Sequence, residues 1–283
     1  MKARVRKRGV KSMKYAGKFM ALAAIAFIVW LPIIVAVVTS FKTRSEIVTA
    51  VPSLLPESLN WNNYVRLFRV MKFGDYLMNS ALVAGFTAVI SLFVSSLAAY
   101  ALVWLEFRGK NAFIALNLFV YIFPQILLAI PLFLMCYGLG LLDTRFALVL
   151  TYMSFILPFG IWMLKNYFQT ISRELVEAAL IDGCNYFQCL IHVVLPVCLP
   201  VLATVLTYSF VLGWNEYMYA NILIKSDSMR TVAIGVQTLV GNHGADFGLL
   251  TAAAVVMIIP VIIFFIAVQR LFVGGLTMGS LKE

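Results

Sequence analysis

The sequence predicts an all-α membrane protein with six transmembrane helices. Of its 283 residues, 63% are hydrophobic and 12% are charged, whereas a soluble domain is about 45–50% apolar and about 25% charged. The sequence also contains six long runs without a charge, and none has the strict polar/apolar alternation of a membrane β-barrel strand. Because lipid cannot hydrogen-bond the backbone, helices are the expected structure of these runs.

Each uncharged run is long enough to cross a bilayer, which takes roughly 20 mostly apolar residues. In chain order the runs contain 23, 30, 32, 19, 33 and 23 residues. The predicted spans lie at about 19–41, 76–104, 112–138, 146–164, 196–219 and 247–269. Together they define a transmembrane domain over 19–272, between a basic tail at 1–18 and a C-terminal tail at 273–283.

The N-terminal tail predicts the orientation of the chain. Residues 1–18 hold eight basic side chains and no acid, so the positive-inside rule places this end in the cytoplasm and six spans return the C-terminus there. A secretory signal peptide is the alternative, but the leader and the apolar run are both long and no clean cleavage site follows. Directly before a span, basic residues are better explained by topology and anionic lipid than by nucleic acid.

The sequence contains few groups that predict catalysis or metal binding. No phosphate-cradling glycine loop, His-Glu-x-x-His or Gly-x-Ser-x-Gly occurs. His192 and His243 are isolated, and we interpret them as structural or solvated. The cysteines have no matching pair of metal ligands, so we interpret all four as small apolar residues on a reducing side: Cys136, Cys184, Cys189 and Cys198.

Polar residues in or beside the spans are candidates for a substrate pathway, since polar groups in lipid are costly and usually face a bundle interior. The candidates are Asn79, Gln125, Asn215, Glu216 and Tyr217. Gln125 lies in a span whose prolines predict a kink with freed carbonyls. The segment 214–217 has two interpretations: an aromatic belt with helix-packing bonds, or an outer vestibule in which amides, carboxylates and rings meet a polar solute.

The fourth and fifth runs are separated by a segment dense in helix formers. Ser172 is a suitable N-cap for a helix over 173–182, and Gly183 is a suitable left-handed C-cap. Asn185 predicts the cap of a second helix, with Phe187, Leu190, Ile191 and Val194 on one face. The segment is either a rigid elbow that passes force from a soluble partner into the membrane or a plain amphipathic connector.

The same segment resembles the "EAA" loop of ABC importer permeases. Glu177-Ala178-Ala179, three residues, Gly183, nine residues, Val193, one residue and Leu195-Pro196 follow the signature EAA-x₃-G-x₉-I-x-LP, with Val for Ile as the one departure. Asn79-Ser80, Trp214-Asn215-Glu216 and the tail "QRLFVGGLTMGSLKE" are similar to the carbohydrate-uptake subfamily, which includes maltose, oligosaccharide and glycerol 3-phosphate permeases. The tail departs at Ser280-Leu281, where Ala-Val is more usual.

The resemblance implies a type I importer permease fold and a set of partners. The loop 170–196 would carry a coupling helix that docks on a cytoplasmic ATPase, with these residues at the contact: Glu177, Ala178, Ala179, Asp182 and Gly183. A second homologous permease, two ATPase subunits and an extracytoplasmic solute-binding protein would complete the importer. ATP and Mg²⁺ would belong to the ATPases, with no cofactor on this chain.

Three other functions compete with a sugar permease. An importer permease for another solute, such as an amino acid or phosphate, is disfavoured by the Trp-Asn-Glu and tail motifs. A polytopic membrane enzyme or a proton-coupled carrier needs several titratable groups at one membrane depth, and Glu216 alone does not supply them.

Overall fold

The computed structural model describes residues 2–49, 53–241 and 244–279, with side chains described for 17–49, 53–240 and 246–272. Two sequence features therefore lie outside the described residues: His243 and the Ser280-Leu281 pair of the tail. The side chains of the basic residues from Lys2 to Lys14 also lie outside them. The orientation predicted from those charges stays a prediction.

Helices dominate the described chain, as predicted. The first seven are α1 (Lys2–Ser40), α2 (Arg44–Ile47), α3 (Asn62–Arg69), α4 (Phe73–Trp104), α5 (Lys110–Ile122), α6 (Ala129–Gly138) and α7 (Arg145–Phe168). The next seven are α8 (Arg173–Ile181), α9 (Tyr186–Cys189), α10 (Leu195–Val197), α11 (Leu199–Asn215), α12 (Met218–Leu223), α13 (Val232–Thr238) and α14 (Phe247–Gly279). The described β-structure is one antiparallel pair of two-residue strands, β1 (Val240–Gly241) and β2 (Gly244–Ala245).

Four described helical stretches are long and apolar enough to cross a membrane by themselves: Gly17–Ser40, Phe73–Trp104, Arg145–Phe168 and Phe247–Phe272. The third and fifth predicted spans correspond instead to bent pairs of helices, so the count reaches six when each pair is taken as one span. The exact membrane boundaries stay predictions.

The third predicted span is broken more sharply than the kink expected from its prolines. Its two halves, Lys110–Ile122 and Gln125–Gly138, meet at 101°. Pro124 has no N–H and disfavours helical backbone in the residue before it, and Phe123 is accordingly extended, with φ −66° and ψ 132°. A single-turn 3₁₀ helix, Gln125–Leu128, then leads into α6.

The fifth predicted span is also shorter than expected. A π-turn, Leu190–Val194, follows α9, and an 88° bend separates Tyr186–Val197 from α11. At its other end α11 stops at Asn215, because Glu216 is extended with ψ 124°. The helix predicted to run from 196 to 219 therefore covers Leu199 to Asn215.

Within the described part of the chain, residues 72–238 and those from 257 onwards form one compact unit, whose core lies where α4 packs along α7 and α11. The three helices approach closely because small residues line the contact. A Cβ added at Gly160 of α7 would lie 3.0 Å from Oγ of Ser95 in α4 and 3.3 Å from a methyl of Val205 in α11. Leu148, Tyr152 and Ile156 fill the core towards one end and Leu164, Phe168 and Val194 towards the other.

The described residues up to 71, together with those from 239 to 256, form a second compact unit. Here Asn63 is buried, and its amide donates to the carbonyls of Ser40 at 2.8 Å and Lys42 at 3.1 Å, which fixes the turn after α1. Arg66 forms an ion pair with Asp246 at 2.9 Å. Trp61 and Tyr64 form an aromatic group with Phe41.

Candidate coupling and translocation sites

The predicted coupling helix is α8, Arg173–Ile181, and one of its faces is anchored in the protein. Val176 and Ala179 are buried in the cluster that contains Leu164, Phe168 and Val194. Glu177 and Ala178 are exposed on the other side. The Ala-Ala pair is therefore divided, with Ala179 packed inward and Ala178 available to a partner surface.

The turn after α8 has the geometry predicted for Gly183. Its φ is +93°, in the left-handed region that favours glycine. The Gly183 N–H donates to the Leu180 carbonyl at 3.1 Å and the Cys184 N–H donates to the Ala179 carbonyl at 3.0 Å. This pair of bonds is a Schellman motif, which satisfies the last carbonyls of the helix and reverses the chain. Asp182 is the exposed C-cap residue beside it.

The caps at the two helix starts differ from one another. Ser172 occupies the N-cap position of α8 as predicted, but its hydroxyl makes no capping bond and lies 3.4 Å from the Glu174 carboxylate. Asn185 does cap α9, accepting from the Gln188 N–H at 2.9 Å, and the Gln188 side chain accepts from the Asn185 N–H at 2.9 Å. This reciprocal capping box fixes the chain immediately after the Gly183 turn.

The predicted apolar face of the second helix is buried at two of its four positions. Leu190 and Val194 are buried, whereas Phe187 and Ile191 are exposed. The prediction assumed 3.6 residues per turn, but residues 190–194 form a π-turn, which is wider and shifts Ile191 and the side chains after it around the axis. Phe187 lies before this turn, in α9.

The elbow, defined here as residues 172–197, presents both apolar and charged groups on its exposed side. Its exposed apolar residues include Leu175, Ile181, Tyr186 and Phe187. A cavity of about 230 Å³ lies between the elbow and the end of α4, and its lining includes Trp104, Glu106, Arg173 and Glu177. None of the three ion pairs found among the described side chains involves an acid of the elbow, so Glu177 is available to an external cation.

Glu216 links the end of span five to the break in span three. Its carboxylate accepts from the N–H groups of Tyr219 at 2.8 Å and Ala220 at 3.0 Å, and so satisfies the first turn of α12. The Tyr219 hydroxyl in turn donates to the backbone carbonyl of Gln125 at 2.6 Å. The structure thus connects two predicted pathway residues through Tyr219, which the sequence did not single out.

The neighbours of Glu216 divide between core and surface. Trp214 is buried and stacks against Phe210 at 5.8 Å, which fits the helix-packing interpretation of the segment. Asn215 and Tyr217 are exposed, which fits a vestibule. Among the described residues, the Asn215 side chain bonds the Val211 carbonyl of its own helix, at 2.8 Å, and no other group.

Asn79 is buried and bonded at both side-chain atoms. Its amide nitrogen donates to the carbonyls of Ser228 at 2.9 Å and Arg230 at 2.8 Å, and its oxygen accepts from Nε of Arg145 at 2.9 Å. Next to it, Oγ of Ser80 accepts from the Val232 N–H at 2.8 Å. In this structure Asn79 fastens the chain between α12 and α13, and a contact with solute would require those bonds to open.

Asp143 holds the other end of the same segment. With φ +62°, it lies in the left-handed region, and its carboxylate accepts from the N–H groups of Lys225 and Ser226, each at 2.9 Å. The N–H of Ser226, followed by that of Lys225, lowers the pKa of the Asp143 carboxyl below its ordinary value. Because the predicted orientation puts this end of α4 outside, we call Asn79, Ser80, Asp143 and Arg145 the outer clamp. Asp143 and Arg145 were not predicted as site residues.

The comparison with known families agrees with this architecture. A model of the binding-protein-dependent transport system inner membrane component family matches residues 91–277, which is well over half of the chain. The chain belongs to this family. The matched region of this transport component includes the elbow, the broken third span and α11.

Two curated relatives share most of their length with this transport component. An inner membrane ABC transporter permease protein of Escherichia coli is 35% identical over 96% of this chain and 98% of that protein. A trehalose/maltose transport system permease protein of Thermococcus litoralis is 35% identical over 78% of this chain and 80% of that protein.

A solved structure shares the fold. The crystal structure of a bacterial ABC transporter involved in the import of the acidic polysaccharide alginate contains a chain that superposes with a TM-score of 0.75. The two are 27% identical, and the match covers 90% of this chain and 95% of that chain. The prediction of an all-α importer permease fold is confirmed by this match and by the family.

Proposed function

We propose that this chain is a membrane subunit of an importer that carries a sugar or sugar-like solute into the cytoplasm. The relatives named for arabinooligosaccharides, diacetylchitobiose and trehalose support this solute class. The alginate importer supports it from structure. The chain itself performs no ATP hydrolysis in this account, and ATP with Mg²⁺ belongs to partner ATPase subunits.

The structure of the elbow gives the strongest support for this function. One face is fixed to the core by Val176 and Ala179. On the exposed face, Glu177 forms no ion pair with any described side chain and lies beside exposed apolar side chains. Exposed apolar groups of this kind mark protein interaction sites. A surface that is rigidly joined to the spans and open to a partner suits the transfer of ATPase motion into the membrane.

The remaining subunits follow from the same proposal. A second homologous permease completes the path across the membrane, two ATPases dock on the elbows, and a solute-binding protein delivers solute from outside. In this topology both termini lie in the cytoplasm, the elbow faces the ATPases, and the outer clamp faces the binding protein. The pathway includes Gln125, Asn215, Glu216 and Tyr217, with Asn79 reached only when the clamp opens.

Loss of this chain tests the proposal directly. The gene for this chain is deleted in the source organism, and uptake of radiolabelled maltose, trehalose, arabinooligosaccharides, amino acids and phosphate is measured. We expect uptake of at least one sugar to fall to background and to return when the intact gene is restored. Unchanged sugar uptake, or loss of amino acid or phosphate uptake instead, contradicts the proposal.

A further inference from the structure

The break in span three leaves backbone groups unpaired at membrane depth. The carbonyls of Tyr121, Ile122 and Phe123, and the N–H groups of Gln125 and Ile126, make no hydrogen bond within the described residues. Tyr121 is about 16 Å along α5 from Lys110 at 1.5 Å per residue, which is near the middle of a hydrocarbon core of about 30 Å. Non-helical backbone at this depth is tolerated only against protein or beside water.

Four aromatic side chains from three helices meet beside this break. Tyr121 of α5 lies 6.3 Å from Trp162 of α7 with nearly parallel rings, and 6.1 Å from Phe159. Phe159 in turn lies 3.8 Å from the ring of Tyr208 in α11. Asn117 of α5 also contacts α7, because its amide donates to the Pro158 carbonyl at 3.0 Å. We call Tyr121, Phe159, Trp162 and Tyr208 the aromatic cluster.

Two members of the aromatic cluster, Tyr121 and Trp162, are exposed and carry polar groups that bond no described residue. Tyr121 is 43% exposed and Trp162 is 38% exposed. The Tyr121 hydroxyl, the Trp162 N–H and the exposed side-chain amide of Gln125 make no hydrogen bond to any described residue. The surface therefore offers ring faces together with hydrogen-bond donors and an amide oxygen.

This composition fits a sugar better than lipid or a packed helix. Unpaired carbonyls and amides are costly on a surface that faces lipid. Helix contacts in membranes are enriched in small residues, as at Gly160, whereas this surface carries large aromatic rings. A sugar ring has C–H faces that stack on aromatic rings and hydroxyls that bond amides, phenols and carbonyls. The cluster supplies each of these groups.

We propose that the aromatic cluster, with Gln125 and the free carbonyls of the break, binds a sugar ring of the solute as it passes through the membrane. The inference rests on the proposed function, which names the solute class but no residue of α7 and no aromatic ring besides Tyr217. Tyr121 and Trp162 provide the stacking faces, while Phe159 and Tyr208 hold them in place.

The test uses the complete transporter in proteoliposomes, with the sugar that the wild type imports supplied on its binding protein. Tyr121→Ala and Trp162→Ala are expected to lower uptake about three- to tenfold, since a stacking contact of this kind has that value in affinity. Trp162→Phe keeps a ring and is expected to restore most uptake. Phe93→Ala is the matched control, because Phe93 of α4 is 56% exposed and forms no ring pair within the described part of the chain.

Three results overturn the proposal. In the first, Tyr121→Ala and Trp162→Ala import sugar as fast as Phe93→Ala. In the second, both alanine variants fail to copurify with the second permease, which makes the cluster an intersubunit contact. In the third, Trp162→Phe is as impaired as Trp162→Ala, which makes the residue a packing element. Failure of the proposed function is distinct, because the wild type itself then imports no sugar.

Discussion

Arg145 donates from Nε to the side-chain oxygen of Asn79 at 2.9 Å, across 66 residues of sequence. The bond joins the first residue of α7 to the seventh residue of α4, and the Asn79 amide then fastens the carbonyls of Ser228 and Arg230. Asn79, which the sequence predicts to be a polar residue of the substrate pathway, therefore stabilises the outer clamp.

Replacing Asn79 by alanine is expected to lower stability. The change removes the hydrogen bonds from Asn79 to the carbonyls of Ser228 and Arg230 and to the Arg145 guanidinium, and a typical intramolecular hydrogen bond contributes about 0.5–1.5 kcal/mol. Thermal unfolding of the detergent-purified protein is the measurement. Asn215→Ala is the control: it is exposed and bonds only its own helix, so its melting temperature should be unchanged. Equal melting temperatures for the two variants contradict the clamp.

The outer clamp is expected to weaken in acid through Asp143. Because the pKa of its carboxyl is lowered in the folded protein, its charge stabilises the fold at neutral pH, and this contribution is lost as the pH falls through the lowered pKa. The melting temperatures of wild type and Asp143→Asn should differ most near neutrality and converge in acid. Asn tolerates the left-handed backbone, so a gap that stays constant with pH would refute a role for the charge.

A methyl group at Gly160 is expected to destabilise the contact between α4 and α7. Its Cβ would lie 3.0 Å from Oγ and 3.1 Å from Cβ of Ser95, and overpacking of this kind costs about 1–3 kcal/mol. Gly85→Ala is a matched control, because Gly85 lies in α4 with open space around the added Cβ. The prediction fails if Gly160→Ala melts at or above the temperature of Gly85→Ala.

Gly183→Ala is expected to reduce uptake by distorting the elbow. Left-handed backbone costs a non-glycine residue about 1–2 kcal/mol, and Gly183→Pro additionally removes the N–H that bonds the Leu180 carbonyl. Both variants should insert in the membrane, with uptake reduced in the first and abolished in the second. Gly109→Ala is the control, since Gly109 has φ +92° and open space but lies outside the elbow. Wild-type uptake by Gly183→Pro removes the coupling role.

The sequence predicts local features of the elbow well because their signals lie within a few residues. The Gly183 turn and the Asn185 cap depend on single side chains and their neighbours. Ser172 lies at the predicted N-cap position, but its hydroxyl donates to the Glu174 carboxylate and makes no capping bond. The π-turn at 190–194 was missed because hydrophobic periodicity assumes a regular helix.

Long-range pairings account for the parts of the candidate site that the sequence does not predict. Asn79 meets Arg145 and the segment after α12 only through the packing of α4 on α7. The Tyr219–Gln125 bond likewise spans 94 residues. One missed feature had a local signal: Glu216 lies three and four residues before the N–H groups it caps, in the pattern of an acid at a helix start.

If ATP hydrolysis on partner subunits drives sugar import through the elbow, transport should depend on the exposed carboxylate of Glu177. The complete transporter in proteoliposomes is compared as wild type, Glu177→Lys and Glu174→Lys, each with sugar-loaded binding protein and internal ATP. Glu174→Lys is the control because it is an exposed acid of the same helix whose nearest polar contact is Ser172. We predict that the wild type and Glu174→Lys import sugar in proportion to ATP hydrolysed, while Glu177→Lys assembles but imports none. Import by Glu177→Lys at the wild-type rate would contradict the account.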